Sequence, residues 1–197
     1  MLGLPPLRVL NPDLLTAELL KKAGFSTPWS APEALKQAYF KEAAAQIMSD
    51  AKTAVQQREQ ICVETVLSTT KYLGLVDAVQ EAGDRWALIY VALSSSELSW
   101  QRVCKRVSRG GHPVPRERIE PRWHRSIQNL GKFAGRADYL YVFDNSDAGD
   151  SGSPRSILAL GQKRGNPPKM EVRQLDPSRI PEITQVLHPY TPRPPRS

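Results

Sequence analysis

Three groups of side chains in this sequence could do chemistry: a series of arginines between 102 and 125, and two carboxylates, Asp13 and Glu64. Arg102, Arg106 and Arg109 recur every three or four residues, a spacing that places them on one helix face. Arg118, Arg122 and Arg125 repeat that spacing after the Gly110-Gly111 pair. Two basic faces meeting at a glycine hinge describe a mobile anion clamp, because guanidinium forks take phosphate through paired hydrogen bonds. The competing reading is a solvated basic surface. Asp13 ends the turn Asn11-Pro12-Asp13 behind the apolar Leu7–Leu10. A carboxylate at the carboxyl end of a parallel strand can take a proton from a hydroxyl. An aspartate in such a turn can equally cap the helix that follows. Glu64 interrupts the apolar run Ile61–Leu67. A glutamate there is costly to bury unpaired, so it faces a cleft or has a basic partner.

The elements that must position these groups alternate between strand and helix patterns. Residues 7–10 read as a short strand, 14–23 as a helix closed by Gly24, and 32–60 as a long Ala-rich helix. On that helix Leu35, Ala38, Tyr39, Ala43, Ile47 and Ala51 share a side, and Tyr39 and Phe40 read as core or cleft aromatics. Residues 61–67 are predicted as a strand and 70–83 as a helix with Tyr72, Leu73, Leu75, Val76 and Val79 inward. Residues 85–93 are apolar on both faces, as a central parallel strand should be. The first arginine-rich helix spans 97–108. Gly110-Gly111 ends it, and a second helix starts near Pro115 and runs toward Leu130. Residues 138–144 form another strand, and Asn145-Ser146-Asp147 after it reads as a polar turn. Residues 147–154 read as a Gly/Ser/Asp loop, 156–160 and 170–175 as an antiparallel hairpin, and 177–187 as a last helix. The Pro- and Arg-rich residues 188–197 read as disordered.

A chain of 197 residues can bury one real core. The net charge of +7 and a pI near 9.6 favour anionic partners. No apolar run is long enough to span a bilayer, and the first twenty residues lack the pattern of a signal peptide. Cys62 and Cys104 have no CxxC partner, so reduced thiols in a cytoplasmic protein are the expectation. His112, His124 and His188 are too scattered for a metal site, so none is expected.

The pattern RVxxRVxRGGHxVPxxxIxxRxxRSIxNL over 102–130 resembles the lid of the zeta-toxin-like P-loop kinases, also described as predicted ABC-type ATPases. LNPDLL at 10–15, VETVLS at 63–68 and YVFDNS at 141–146 are similar to that family in the same order. The resemblance covers roughly residues 7–165. It implies a three-layer α/β sandwich with a largely parallel sheet, a kinase domain over 1–176 with its lid at about 97–130, and a C-terminal helix and tail over 177–197. The implied reaction moves the γ-phosphoryl group of ATP, with Mg²⁺, to a hydroxyl of a small molecule, nucleotide sugars included. By the same resemblance Asp13 serves as the general base, and Glu64 and Thr65 contact the acceptor. Arg106, Arg109, Arg122 and Arg125 neutralise the transferring group, and Asn145 lies near the nucleotide base.

One part of the family pattern is missing. P-loop kinases open with a strand, GxxxxGK[ST] and a helix, in which backbone N–H groups and a lysine cradle the phosphates. No such string occurs in these 197 residues, and GQKRGN at 161–166 is the nearest. The resemblance implies that this chain starts after the first strand and phosphate loop. A misplaced start or truncation, a remnant that binds without turnover, and a replaced loop are the three explanations. The expectation is a kinase that is incomplete or inactive by itself. The alternatives are a non-catalytic module for a nucleotide or nucleotide sugar, and a toxin-antitoxin interaction protein whose partner is antitoxin-like. Nucleic-acid binding rests on charge alone, since no recognition motif appears.

Overall fold

The computed structural model describes residues 7–147, 156–176 and 178–191. Most of the predicted 147–154 loop and the end of the predicted tail lie outside the described residues. The chain is mixed α/β and divides into two compact units: residues 1–66 with 103–114, and residues 67–102 with 115–197.

In the first unit, β1 (Arg8–Leu10) and β2 (Ile61–Val63) pair in parallel, with Leu10 opposite Val63. Between them run α1 (Pro12–Lys22) and the long α2 (Glu33–Gln56). The two helices pack together. Ala43, Ile47 and Ala51 are buried along one line of α2, the i, i+4 row that a packed helix turns inward. From α1 come Leu20 and Thr16, whose hydroxyl donates to the Pro12 carbonyl at 2.7 Å, so its burial leaves no orphan. Phe40 is 40% exposed, so it does not serve as a core aromatic. The strand predicted over 61–67 stops at Val63. Glu64, Thr65 and Val66 are exposed, and Leu67 turns the chain with φ 54°.

In the second unit, β3 (Ala87–Ala92) and β4 (Tyr139–Asp144) are parallel. β5 (Ser156–Arg164) and β6 (Lys169–Leu175) follow as the predicted antiparallel hairpin, giving the order β3-β4-β5-β6. Apolar residues on both faces predict a central β3. In the structure β3 is an edge strand, hydrogen-bonded to β4 alone among the described residues, and Ile89 and Val91 stay 64% and 50% exposed. The other face of the sheet carries Leu140, Val142, Leu158 and Val172 into the core.

That core is closed by α5 (Ile119–Ala134) and α6 (Pro181–Leu187), which contribute Ile127, Leu130, Phe133, Ile183 and Leu187. Two glycines let α6 and Tyr190 approach α5. A Cβ at Gly131 would lie 3.2 Å from the Val186 carbonyl oxygen, and one at Gly135 would lie 2.6 Å from the Tyr190 hydroxyl. That hydroxyl donates to the Gly131 carbonyl at 2.8 Å. The remaining helices are α3 (Leu73–Glu81), with Leu75 and Val76 buried, and α4 (Ser96–Val107), which the division into units cuts after Arg102. No described helix is long and apolar enough to cross a membrane.

Candidate functional site

Leu10 ends β1 and Asn11 caps α1: its Oδ1 accepts from the backbone N–H of Asp13 at 2.8 Å and of Leu14 at 3.2 Å. Pro12 occupies the first helical position, where a missing N–H costs nothing. Since Oδ1 faces these two donors, the other end of the amide must be Nδ2. It donates to Glu64 Oε2 at 2.6 Å. Glu64 is itself set by the sheet, its N–H continuing the ladder to the Leu10 carbonyl at 3.0 Å. One asparagine therefore closes the carboxyl ends of two parallel strands against each other.

This arrangement corrects the reading of Asp13 as a helix cap. With Asn11 in that role, the Asp13 carboxylate forms no hydrogen bond or ion pair among the described residues. It stands in the first turn of α1, half-buried. Glu64 likewise has no arginine partner among the described residues. Its neighbour is the Asn11 amide. Thr65 follows it, exposed.

The arginines divide between the two units. Arg106 and Arg109 fall in the first, and Arg102, Arg122 and Arg125 in the second. α4 ends at Val107, so Arg109 lies in the turn and not on the helix face predicted to hold it with Arg102 and Arg106. Gly110 has φ 82°, and the chain folds back so closely that a Cβ at Gly111 would lie 2.4 Å from the Arg106 Cγ. Arg106 Nη2 donates to the His112 carbonyl at 2.9 Å, and the His112 ring packs on Trp29 with centroids 4.2 Å apart. Arg106 thus braces the hinge, while Arg109 is exposed with no side-chain partner among the described residues.

In the second unit, Trp123 Nε1 donates to the Leu93 carbonyl at 3.0 Å, and the Ser126 hydroxyl meets the Tyr90 hydroxyl at 3.0 Å. These two contacts fasten the start of α5 to β3. Arg122, half-buried, and Arg125, exposed, lie among them on the same helix. Burial of Tyr90 pushes its pKa up, a shift that its bond to Ser126 partly offsets. Arg118, predicted on the same helix face, is the residue before α5.

Asn145 follows the carboxyl end of β4. Its N–H donates to the Ala92 carbonyl at 2.9 Å, and its carbonyl accepts from Arg102 Nη2 at 3.0 Å. The backbone is held, but the side-chain Oδ1 is buried and accepts no hydrogen bond among the described residues. A buried acceptor without a donor costs about 1–3 kcal/mol. Sequence reasoning missed Asn11 as a positioning group, and it read Arg102 as part of the anion clamp and not as a support of the Asn145 backbone. A proline at the first helical position was the available signal for Asn11.

The model of the zeta toxin family matches residues 29–149, a span that holds Glu64, Thr65, the arginines and Asn145. A solved chain from a characterization of the PezAT chromosomal toxin-antitoxin system of the human pathogen Streptococcus pneumoniae is 13% identical, with a TM-score of 0.46. The match covers 76% of this chain and 59% of that one. No curated protein matches.

Proposed function

This chain belongs to the zeta toxin family, and from that premise we propose that it serves phosphoryl transfer from ATP to a hydroxyl of a small molecule, with nucleotide sugars as the acceptor class. The observation that carries this reading is the Asn11 bridge. It takes over the helix cap, holds Glu64, and leaves the Asp13 carboxylate without a hydrogen-bond partner among the described residues. Asp13 accepts the proton of the acceptor hydroxyl as that oxygen bonds to phosphorus and the bond from phosphorus to the ADP oxygen breaks. Glu64, with Thr65, orients the acceptor. Arg106, Arg109, Arg122 and Arg125 offset charge on the transferring group. Asn145 Oδ1 accepts from an amine of the nucleotide base.

Magnesium, when bound, supplies charge neutralisation on the phosphates. Among the described residues no group of three or more His, Cys, Asp or Glu side chains could hold it. The GxxxxGK[ST] loop is not among these 197 residues, which keeps a second reading in view: a module that binds nucleotide or nucleotide sugar without turnover. Family membership also supports an antitoxin-like protein as a partner.

The test is transfer of labelled γ-phosphate from ATP to a panel of nucleotide sugars, with ATP binding measured alongside. The kinase reading expects Asp13→Ala to abolish transfer and to spare ATP binding. Binding with no transfer in the natural chain would favour the second reading. Undiminished transfer in Asp13→Ala would remove Asp13 as the base, and absence of binding would sink both readings.

A further inference from the structure

Outside the residues that the family model matches lies an arginine whose contacts converge on the Asn145 turn. Arg179 Nε meets Asp144 Oδ2 at 3.1 Å, its Nη1 donates to the Ser156 hydroxyl at 2.6 Å, and its Nη2 pairs with Asp147. All three guanidinium nitrogens are engaged, two of them on the carboxylates that flank Asn145 on either side.

Asp144 is 3% exposed, and a carboxylate this buried requires compensation. Its Oδ1 accepts from the Ser146 N–H at 2.8 Å and the Ser146 hydroxyl at 2.5 Å, and Arg179 takes Oδ2. The Ser146 hydroxyl in turn accepts from the Ser94 N–H at 2.9 Å. The turn is thus closed on itself by Asp144 and fastened to the chain by Arg179.

Arg179 is itself fixed from both directions. Before it, Asp176 Oδ1 accepts from the Ser178 N–H and hydroxyl at 3.0 and 2.6 Å, and the Asp176 N–H donates to the Leu158 carbonyl at 2.9 Å. After it, Ile180 is 1% exposed and leads into α6. The guanidinium therefore projects from a segment held by hydrogen bonds on one side and by burial on the other, the condition under which a fork transmits position.

We propose that Arg179 is the positioning residue of the nucleotide-base turn: it bridges Asp144 and Asp147 and so aims the Asn145 amide at an adenine. This rests on the reading of Asn145 as a base contact. The unpartnered Oδ1 takes the exocyclic amine of adenine, and at that place guanine presents an oxygen, which repels it. A lysine at 179 keeps a positive charge beside Asp144 but has no planar fork to span three partners.

The experiment measures equilibrium binding of ATP and of GTP to the full chain and to Arg179→Lys, Arg179→Ala, Asn145→Ala and the Arg179→Lys/Asn145→Ala double variant. The natural chain should prefer ATP by about tenfold, the scale of one well-made hydrogen bond. Arg179→Lys should bring that preference down toward the Asn145→Ala value, and the double variant should be no worse than Asn145→Ala. General destabilisation would weaken both nucleotides together and leave their ratio alone, so an unchanged ratio in a folded Arg179→Lys overturns the proposal. If the natural chain has no preference or binds neither nucleotide, the base-contact reading fails. Backbone amide exchange at Asn145 and Ser146 then decides the rest: faster exchange in Arg179→Lys sustains the positioning role, and unchanged exchange overturns it.

Discussion

Asn11 is the residue whose replacement says most about the paired strand ends. Asn11→Asp keeps the side-chain oxygen that caps α1, and its charge suits the helix N-terminus. It also exchanges the Nδ2 donor for an oxygen 2.6 Å from Glu64 Oε2. Two unit charges at that separation repel by about 1.6 kcal/mol even with the full screening of water. Glu64 is exposed and can swing aside, so about 1 kcal/mol of destabilisation is expected near neutral pH, with a Tm lower by about 2–4 °C for a chain of this length. Acid should relieve it, because protonating either carboxylate restores a donor between the oxygens. Asn11→Ala loses the cap instead, at a cost of about 1 kcal/mol. The Nδ2 bond to Glu64 goes with it, but the cap's share of the loss does not involve charge and should persist at both pH values. Thermal unfolding of both variants and the natural chain at pH 7.5 and pH 4.5 separates the two. Asn11→Asp losses that are the same at both pH values would refute the bridge between Asn11 and Glu64.

Two further outcomes test the second unit. Gly135→Ala should cost about 1–3 kcal/mol by overpacking, since its Cβ would meet the Tyr190 hydroxyl, and Tyr190→Phe should recover part of that loss in thermal melts. A rise in Tm would refute the contact. For Tyr90 the folded-state pKa is raised, so its contribution is complete below about pH 10, the ordinary tyrosine value, and is lost as pH rises through the raised one. Tyr90→Phe should therefore flatten the alkaline fall of stability, read by tyrosinate absorbance together with circular dichroism, while losing about 1 kcal/mol at neutral pH with the Ser126 bond.

The periodic elements were legible because their signals are local. The Ala43-Ile47-Ala51 row, the alternation in β5 and β6 and the Gly110 turn each write their structure into a few adjacent residues. What was not legible depends on distant partners. The run 85–93 is apolar enough for a central strand, yet its place at the sheet edge is a fact of pairing that no strand carries in its own composition. Arg179 meets carboxylates more than thirty residues earlier, so nothing near it in sequence marks it out. Arg109 follows its helix by two residues, within the uncertainty of a boundary read from glycine position. Asp13 was ambiguous because aspartate and asparagine both cap helices. Pro12 resolves it, since the cap is the residue before a proline at the first helical position.

Pro12 has a second effect, on the chemical lifetime of its neighbour. Asparagine side chains deamidate when the nitrogen of the following residue, after losing its hydrogen, attacks the side-chain carbonyl and closes a ring. Proline has no such hydrogen. Asn11 is therefore shielded from the spontaneous conversion that would turn it into aspartate and set two carboxylates against each other at 2.6 Å. The residue that starts the helix also keeps the bridge behind it from ageing.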